Sequence, residues 1–159
     1  NLATGTATTD DVLIHSVKKL RSIGHKFEIM VNRDCTVPFI TNRDIKRSIK
    51  LLKEKNCDIV CGVYKQHHNP YFNMMEQNSK GFLRFSKKKG AQITNRHNMP
   101  TVFQLNGLAV FYVEKLLKYG KLYMPKALPY EISPETGFMI DTEFEFQVAE
   151  MIAKKYIKI

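Results

Sequence analysis

No stretch of the 159 residues approaches the roughly 18 to 20 consecutive apolar side chains that a bilayer-spanning helix needs, because Lys, Arg, Asn or Gly interrupts every run. An integral membrane protein is excluded. Cysteine is scarce: Cys35, Cys57 and Cys61 are odd in number and form no CxxC pair, which fits a reducing, cytoplasmic compartment and not a disulfide framework. On an extended strand Cys57 and Cys61 would share a face but lie roughly 13 Å apart, too far to hold one metal, so the cysteines read as buried free thiols. Compact catalytic signatures are missing too: there is no nucleophile elbow, no HExxH and no Walker loop. The opening Asn1-Leu2-Ala3-Thr4 has neither an initiator Met nor a charged-then-apolar leader, so the chain is expected to lack its natural start. Internal repeats and low-complexity tracts are absent.

What is present is ordinary globular composition, 43% apolar and 25% charged, enough for one domain with a real core and unlike a disordered chain. The 25 Lys and Arg against 15 Asp and Glu leave a formal charge of +10, which raises the expectation of an anionic partner: nucleotide, nucleic acid, sugar acid or membrane surface. Distribution tempers that. Lys18, Lys19, Lys46, Lys50, Lys53, Lys118, Lys154 and Lys155 stand among apolar residues at helical spacing, as solvated outer faces do. Only Lys87-Lys88-Lys89 is a block, followed at once by Gly90, and it reads as a loop. It lacks the interleaved aromatics of a nucleic-acid platform, so no nucleic-acid partner is expected.

Along the chain, Thr8-Thr9-Asp10-Asp11 predicts a helix start, with Val12, Leu13, Ser16, Val17 and Leu20 on one face and Gly24 as its stop. Phe27 to Val31 reads as a buried strand, Asn32 to Ile40 as a loop, and Thr41-Asn42-Arg43-Asp44 as the cap of a second helix with an Ile45, Ile49, Leu52 stripe. Ile59 to Tyr64 is another strand, so the pattern is a βαβ unit with parallel strands. Between Gln66 and Pro100 two short apolar pieces, Phe72 to Met75 and Phe82 to Phe85, flank Asn78-Ser79-Lys80-Gly81, the grammar of an antiparallel hairpin. Leu108 to Tyr112 returns to a strand, Val113 to Tyr119 is a short helix ended by Gly120, and Thr142 with Glu145 predicts a capping box for a last helix through Lys155.

Ligands of open parallel sheets gather at the carboxyl ends of strands, beside helix N-termini. Three segments qualify: Asn32 to Thr41, Gln104 to Gly107, and Asp141 to Glu145. Asp141 and Glu143 could hold a hard divalent cation, although acids in a first helical turn are favoured by the helix dipole alone. Asn106-Gly107 could bring backbone close to a ligand, or be a plain turn. His67-His68 would point to opposite faces of a strand and reads as a loop; His15 reads as a core or boundary residue.

Taken together these segments resemble the acylneuraminate cytidylyltransferase family. Leu2 to Val17, LATGTATTDDVLIHSV, resembles the family stretch LA-S/T-D-TASS that runs into a helix. Asp34-Cys35-Thr36-Val37-Pro38-Phe39 falls where the family has Q-P-T-S-P-L. Phe103-Gln104-Leu105-Asn106-Gly107 is similar to F-R-P-N-G, and Ile140-Asp141-Thr142-Glu143-Phe144-Glu145 with Ala149-Glu150 to I-D-T-E-x-D-x…A-E. The resemblance implies a single α/β domain over 1–159, a Rossmann-like, mainly parallel nucleotide-diphospho-sugar transferase sheet, with 66–100 a hairpin excursion used in homodimerisation. It implies that CTP and an acidic nine-carbon sugar meet with Mg²⁺ to give a CMP-sugar and pyrophosphate. Asp141 would be catalytic and, with Glu143, bind the metal; Asp34, Thr36, Gln104, Asn106 and Gly107 would bind substrate.

The family's Gly-rich, basic phosphate loop lies on its first strand, upstream of every residue here, so the 159-residue chain is expected to be inactive alone. Gly5 stands where the family has an acid, Gln104 and Ile40 where it has arginines, and Met139 where it has the first of two aspartates. Missing carboxylate-binding arginines argue against N-acetylneuraminate itself as substrate. The same departures suit an alternative, a catalytically silent relative that serves as an assembly or regulatory module.

Overall fold

The computed structural model describes residues 4–87 and 99–156, so Lys88 and Lys89 of the basic block, and the excursion from Gly90 to 98, lie outside the described residues. In chain order the elements are α1 (Thr9–Ser22), β1 (Ile29–Arg33), α2 (Asn42–Glu54), β2 (Ile59–Lys65), β3 (Met75–Gln77), β4 (Leu83–Phe85), β5 (Phe103–Tyr112), α3 (Val113–Tyr119), β6 (Ala127–Glu131) and α4 (Glu143–Tyr156). They fall into two compact units, Asn1–Val63 with Leu105–Ile159, and Tyr64–Gln104.

Hydroxyl-carboxylate pairs set the first two helix starts. Thr8 accepts from the Asp11 N–H at 3.2 Å while the Asp11 carboxylate accepts from the Thr8 N–H at 3.1 Å. Thr41 and Asp44 repeat the arrangement at 3.2 and 3.0 Å. Of the α1 stripe Leu13 and Val17 are buried, whereas Val12 is exposed. All eight lysines assigned to outer faces are exposed.

In the first unit the sheet order is β1-β5-β2-β6. β1 pairs antiparallel with β5, from Ile29 opposite Tyr112 to Arg33 opposite Leu108, and β2 pairs parallel with β6, from Ile59 opposite Ala127 to Val63 opposite Glu131. β5 also runs against β2: the Tyr112 N–H bonds to the Asp58 carbonyl at one end, and Gln66 N–H to the Val102 carbonyl at the other. Thus β1, β2 and β6 share one direction and β5 opposes them. The predicted βαβ unit is corrected in one respect: β1 and β2 point the same way but β5 lies between them. β6 escapes the sequence reading because Pro129 interrupts it; as an edge strand it can spare that N–H.

Alternation along β2 and β5 sorts the core to two faces. Ile59, Cys61, Val63, Ala109 and Phe111 pack with Leu13 and Val17 of α1 and Leu116 of α3; Val60, Leu108 and Val110 pack with Leu52 of α2, Val37 and Ile132. Cys57 and Cys61 are buried as expected, but on different faces, because Cys57 belongs to the turn before β2, where its N–H meets the Lys55 carbonyl. Cys35 departs from the expectation: it is exposed.

The second unit carries the β3–β4 hairpin, Met75 opposite Phe85 and Gln77 opposite Leu83, closed by Asn78, whose side chain accepts from the N–H groups of Lys80 and Phe82. Every residue of its two strands is exposed. Asn69 organises the approach to it, donating to the Pro100 carbonyl and accepting from the Tyr71 N–H. His67 and His68 are exposed in the loop after β2. Among the described residues no helix is long and apolar enough to cross a membrane.

Candidate functional site

Because β5 opposes β1, the carboxyl end of β1 lies beside the middle of β5, and the loop that leaves at Asp34 begins next to Gly107. The Asp34 N–H bonds to the Gly107 carbonyl at 3.0 Å, and the Asp34 carboxylate accepts from Asn32 Nδ2 at 3.1 Å. Gly107 is required there twice over. Its φ is +72°, and a Cβ would fall 2.8 Å from both Cβ and Oδ2 of Asp34.

Beside this junction opens a cavity of about 200 Å³ walled by Thr9, Asp10, Asn32, Asp34, Gly107 and Tyr123. The start of α1 is tied to it through Asp10, whose carboxylate accepts from the Leu122 N–H at 2.7 Å. Burial first, then neighbouring acidic groups, the Cys61 thiol where it ionises and the Asp34 and Asp10 carboxylates, push the Tyr123 hydroxyl above its ordinary range, so it is a neutral O–H donor. Burial pushes the Cys61 thiol at the same cavity up to about 11, which leaves it uncharged and a poor nucleophile at neutral pH.

The start of α4 joins the same loop. The Ile140 N–H bonds to the Thr36 carbonyl at 2.9 Å, which fixes the residue before Asp141 to the segment that follows β1. The predicted capping box forms with one change: Glu145 accepts from the Thr142 hydroxyl at 2.9 Å, but its backbone partner is the Asp141 N–H, at 2.8 Å. Those bonds, the Asp141 N–H first, hold the Glu145 carboxyl below its usual range. The carboxylates of Asp141 and Glu143 are exposed to solvent. They are hard oxygen donors of the kind Mg²⁺ takes, yet among the described residues no three His, Cys, Asp or Glu side chains gather as a metal cage. A cation held there would draw its remaining ligands from water and a phosphorylated substrate.

Asn106 is wholly buried, not exposed on a cleft wall: Oδ1 accepts from the Leu108 N–H at 3.4 Å, and Nδ2 has no partner among the described residues. Gln104 belongs to the second unit, where its Oε1 accepts from Gln66 Nε2 at 2.6 Å. Within the first unit, then, Asp34, Thr36, Gly107 and the segment leading into Asp141 are linked by backbone hydrogen bonds. Thr9, Asp10 and Tyr123 are additions the sequence reading missed, whereas Asn32 opens the predicted Asn32 to Thr41 segment. Asp10 reads in sequence only as a first-turn acid, and nothing local marks Tyr123. His15 is corrected: it is exposed, on a shallow depression with Thr4, Thr6, Asp11 and Lys18.

No family model matches this sequence, and no curated protein is significantly similar to it. Solved structures do resemble it. Among them the 4-diphosphocytidyl-2C-methyl-D-erythritol synthase from Anaerococcus prevotii DSM 20548 matches with a TM-score of 0.59 and 13% sequence identity, over 94% of this chain and 68% of that one. At such identity the likeness is one of architecture, and the chain shares the α/β fold of that synthase.

Proposed function

We propose that this protein is a cytidylyltransferase that activates a sialic-acid-like, nonulosonic sugar acid with CTP, giving a CMP-sugar and pyrophosphate. Two independent supports converge. The fold is shared with a synthase whose name denotes a diphosphocytidyl product. The four sequence segments that resemble acylneuraminate cytidylyltransferases occur in order along the chain. The observation that carries the reading is a pair of backbone hydrogen bonds, Asp34 N–H to the Gly107 carbonyl and Ile140 N–H to the Thr36 carbonyl, which tie three of those segments together.

In this reaction the anomeric hydroxyl oxygen of the sugar acid bonds to the α-phosphorus of CTP, the bond from that phosphorus to the pyrophosphate oxygen breaks, and the hydroxyl proton passes to solvent. Such a transfer needs alignment and charge stabilisation more than a covalent intermediate, which suits a cavity whose thiol is neutral. Asp34, Thr36 and Gly107 would line the substrate site. Asp141, with Glu143, would hold Mg²⁺, which when bound neutralises phosphate charge. The tyrosine hydroxyl of Tyr123 and the amide of Asn32 offer donors to phosphate or sugar oxygens. A homodimer is part of the proposal, with the hairpin of the second unit as its contact.

The full-length gene product, supplied with CTP, Mg²⁺ and a panel of nonulosonic acids, is expected to release pyrophosphate only when all three are present. One observation favours the silent-relative reading: Met139 packs against the second core cluster, so a packing side chain holds the place of a family aspartate. Absence of pyrophosphate release across the panel would select that reading.

A further inference from the structure

The buried amide of Asn106 lies between two glycines. A Cβ on Gly62 of β2 would fall 2.3 Å from Asn106 Oδ1 and 2.8 Å from Leu108 Cβ; one on Gly137 would fall 2.9 Å from Asn106 Nδ2 and 3.2 Å from the Ser133 carbonyl. Neither glycine has a positive φ, so neither is needed for backbone freedom. Each is there because Asn106 fills the space a side chain would take. Ser133 to Gly137 is a self-closed turn, with the Gly137 N–H on the Ser133 carbonyl at 2.8 Å and the Ser133 and Thr136 hydroxyls 3.1 Å apart. Four residues further on comes Asp141. The only hydrogen bond the Asn106 side chain makes among the described residues is the long one from Leu108, so the amide is buried at a cost that its hydrogen bonding does not offset.

We infer that Asn106 is a positioning residue: wedged between Gly62 and Gly137, it seats the 133–137 turn on the sheet and so sets where Asp141 stands. Its action on the reaction is through that turn, and the sugar acid does not touch it. This rests on the reading of Asp141 as the working carboxylate, but the seating itself does not. Three attachments hold the segment: Gly137 against Asn106, Met139 in the second core cluster, and the Ile140 N–H on Thr36.

Amide hydrogen exchange on the ligand-free protein tests the seating without reference to activity. Asn106→Ser is expected to speed exchange across 133–142 about tenfold or more while β1 and β2 keep wild-type protection. Gly137→Ala, which leaves Asn106 in place and adds one methyl, should give the same local signature, and it carries the test if Asn106→Ser does not fold. Unchanged exchange over 133–142 in a folded variant overturns the inference. In a protein active with CTP, Asn106→Ser should raise the Mg²⁺ needed for half-maximal rate by about tenfold and lower kcat, with the KM for the sugar acid within about twofold of wild type. A raised sugar-acid KM with unchanged Mg²⁺ demand would make Asn106 a direct contact instead. If no activity is found, the exchange result still decides the seating and only the proposed reaction falls.

Discussion

Asp58 is the side chain whose environment is hardest to satisfy. It is 3% exposed, its Oδ1 meets Lys115 Nζ at 3.0 Å, and its Oδ2 has no partner among the described residues. Lys115 is 41% exposed, so the pair is unequal: the lysine can turn to water and the carboxylate cannot. Lys115→Met therefore strands a buried charge, and we expect its melting temperature to fall by about 5 °C or more, whereas Asp58→Asn, which frees an exposed lysine, should cost clearly less. Equal losses in thermal melts would refute the asymmetry. The hydrogen bond to Asp58 and then its charge raise the Lys115 pKa above 10.5. The Cys61 thiol is likewise raised, from 9.0 to about 11. Both groups bind their protons more tightly when folded: the Cys61 contribution is complete below pH 9 and is lost as pH rises through about 11, and the Lys115 contribution, complete below 10.5, is lost at higher pH still. Melting temperature should stay level up to mildly alkaline pH and then fall, and Cys61→Ala should blunt the first part of the fall. The same burial predicts that a maleimide at neutral pH labels Cys35 fast and Cys57 and Cys61 only on unfolding. Scarcity of cysteine and lack of pairing were readable in the sequence; which thiol faces solvent was not, because Cys35 follows a strand end that turns outward.

At the scale of elements, helix starts were the most legible feature. Thr8 with Asp11 and Thr41 with Asp44 act within four residues, so nothing distant can override them. Thr41→Ala removes the acceptor for the Asp44 N–H and should cost about 1 kcal/mol, read as a lower urea midpoint with an unchanged m-value. Strand order was not legible. The insertion of β5 between β1 and β2 depends on the pairing of residues 75 to 83 apart in sequence, from Arg33 with Leu108 to Ile29 with Tyr112, and local pattern carries no information about which strand enters which gap. β6 was hidden by Pro129, a residue that local rules remove from strands and that only an edge position tolerates. Asn106-Gly107 stood out as a dipeptide, but its two members do opposite things: Gly107 yields space to Asp34, and Asn106 takes space from Gly62 and Gly137. A motif can mark a site without saying which atoms face it.

For the molecule as a whole, the charge of +10 is spread among the described residues: eight lysines lie exposed on the outer faces of α1, α2, α3 and α4, and Lys115 of α3 pairs with the buried Asp58. Charge spread in this way attracts anions at long range. The candidate site drew on segments near residues 10, 34, 107 and 123, with the approach to 141 tied on through Thr36, and only those near 34, 107 and 141 announced themselves in the sequence. The hairpin unit is where the surface itself demands explanation. Phe82 and Leu83 are 68% and 67% exposed, and Met75 and Phe85, a cross-strand pair, are exposed beside them. A two-stranded hairpin is marginal in water by itself, and so many large apolar side chains on one short ribbon call for a cover. A second copy of this chain is the cover proposed above, since two such ribbons can bury the same side chains against each other in a self-complementary contact. Replacing Phe82 and Leu83 together by Ser should then convert a dimer to a monomer in sedimentation velocity and leave the secondary structure of the first unit unchanged by circular dichroism. A wild-type protein that sediments as a monomer at the concentrations of the transferase assay would remove the homodimer from the proposal, and the ribbon would have to be covered by a different partner.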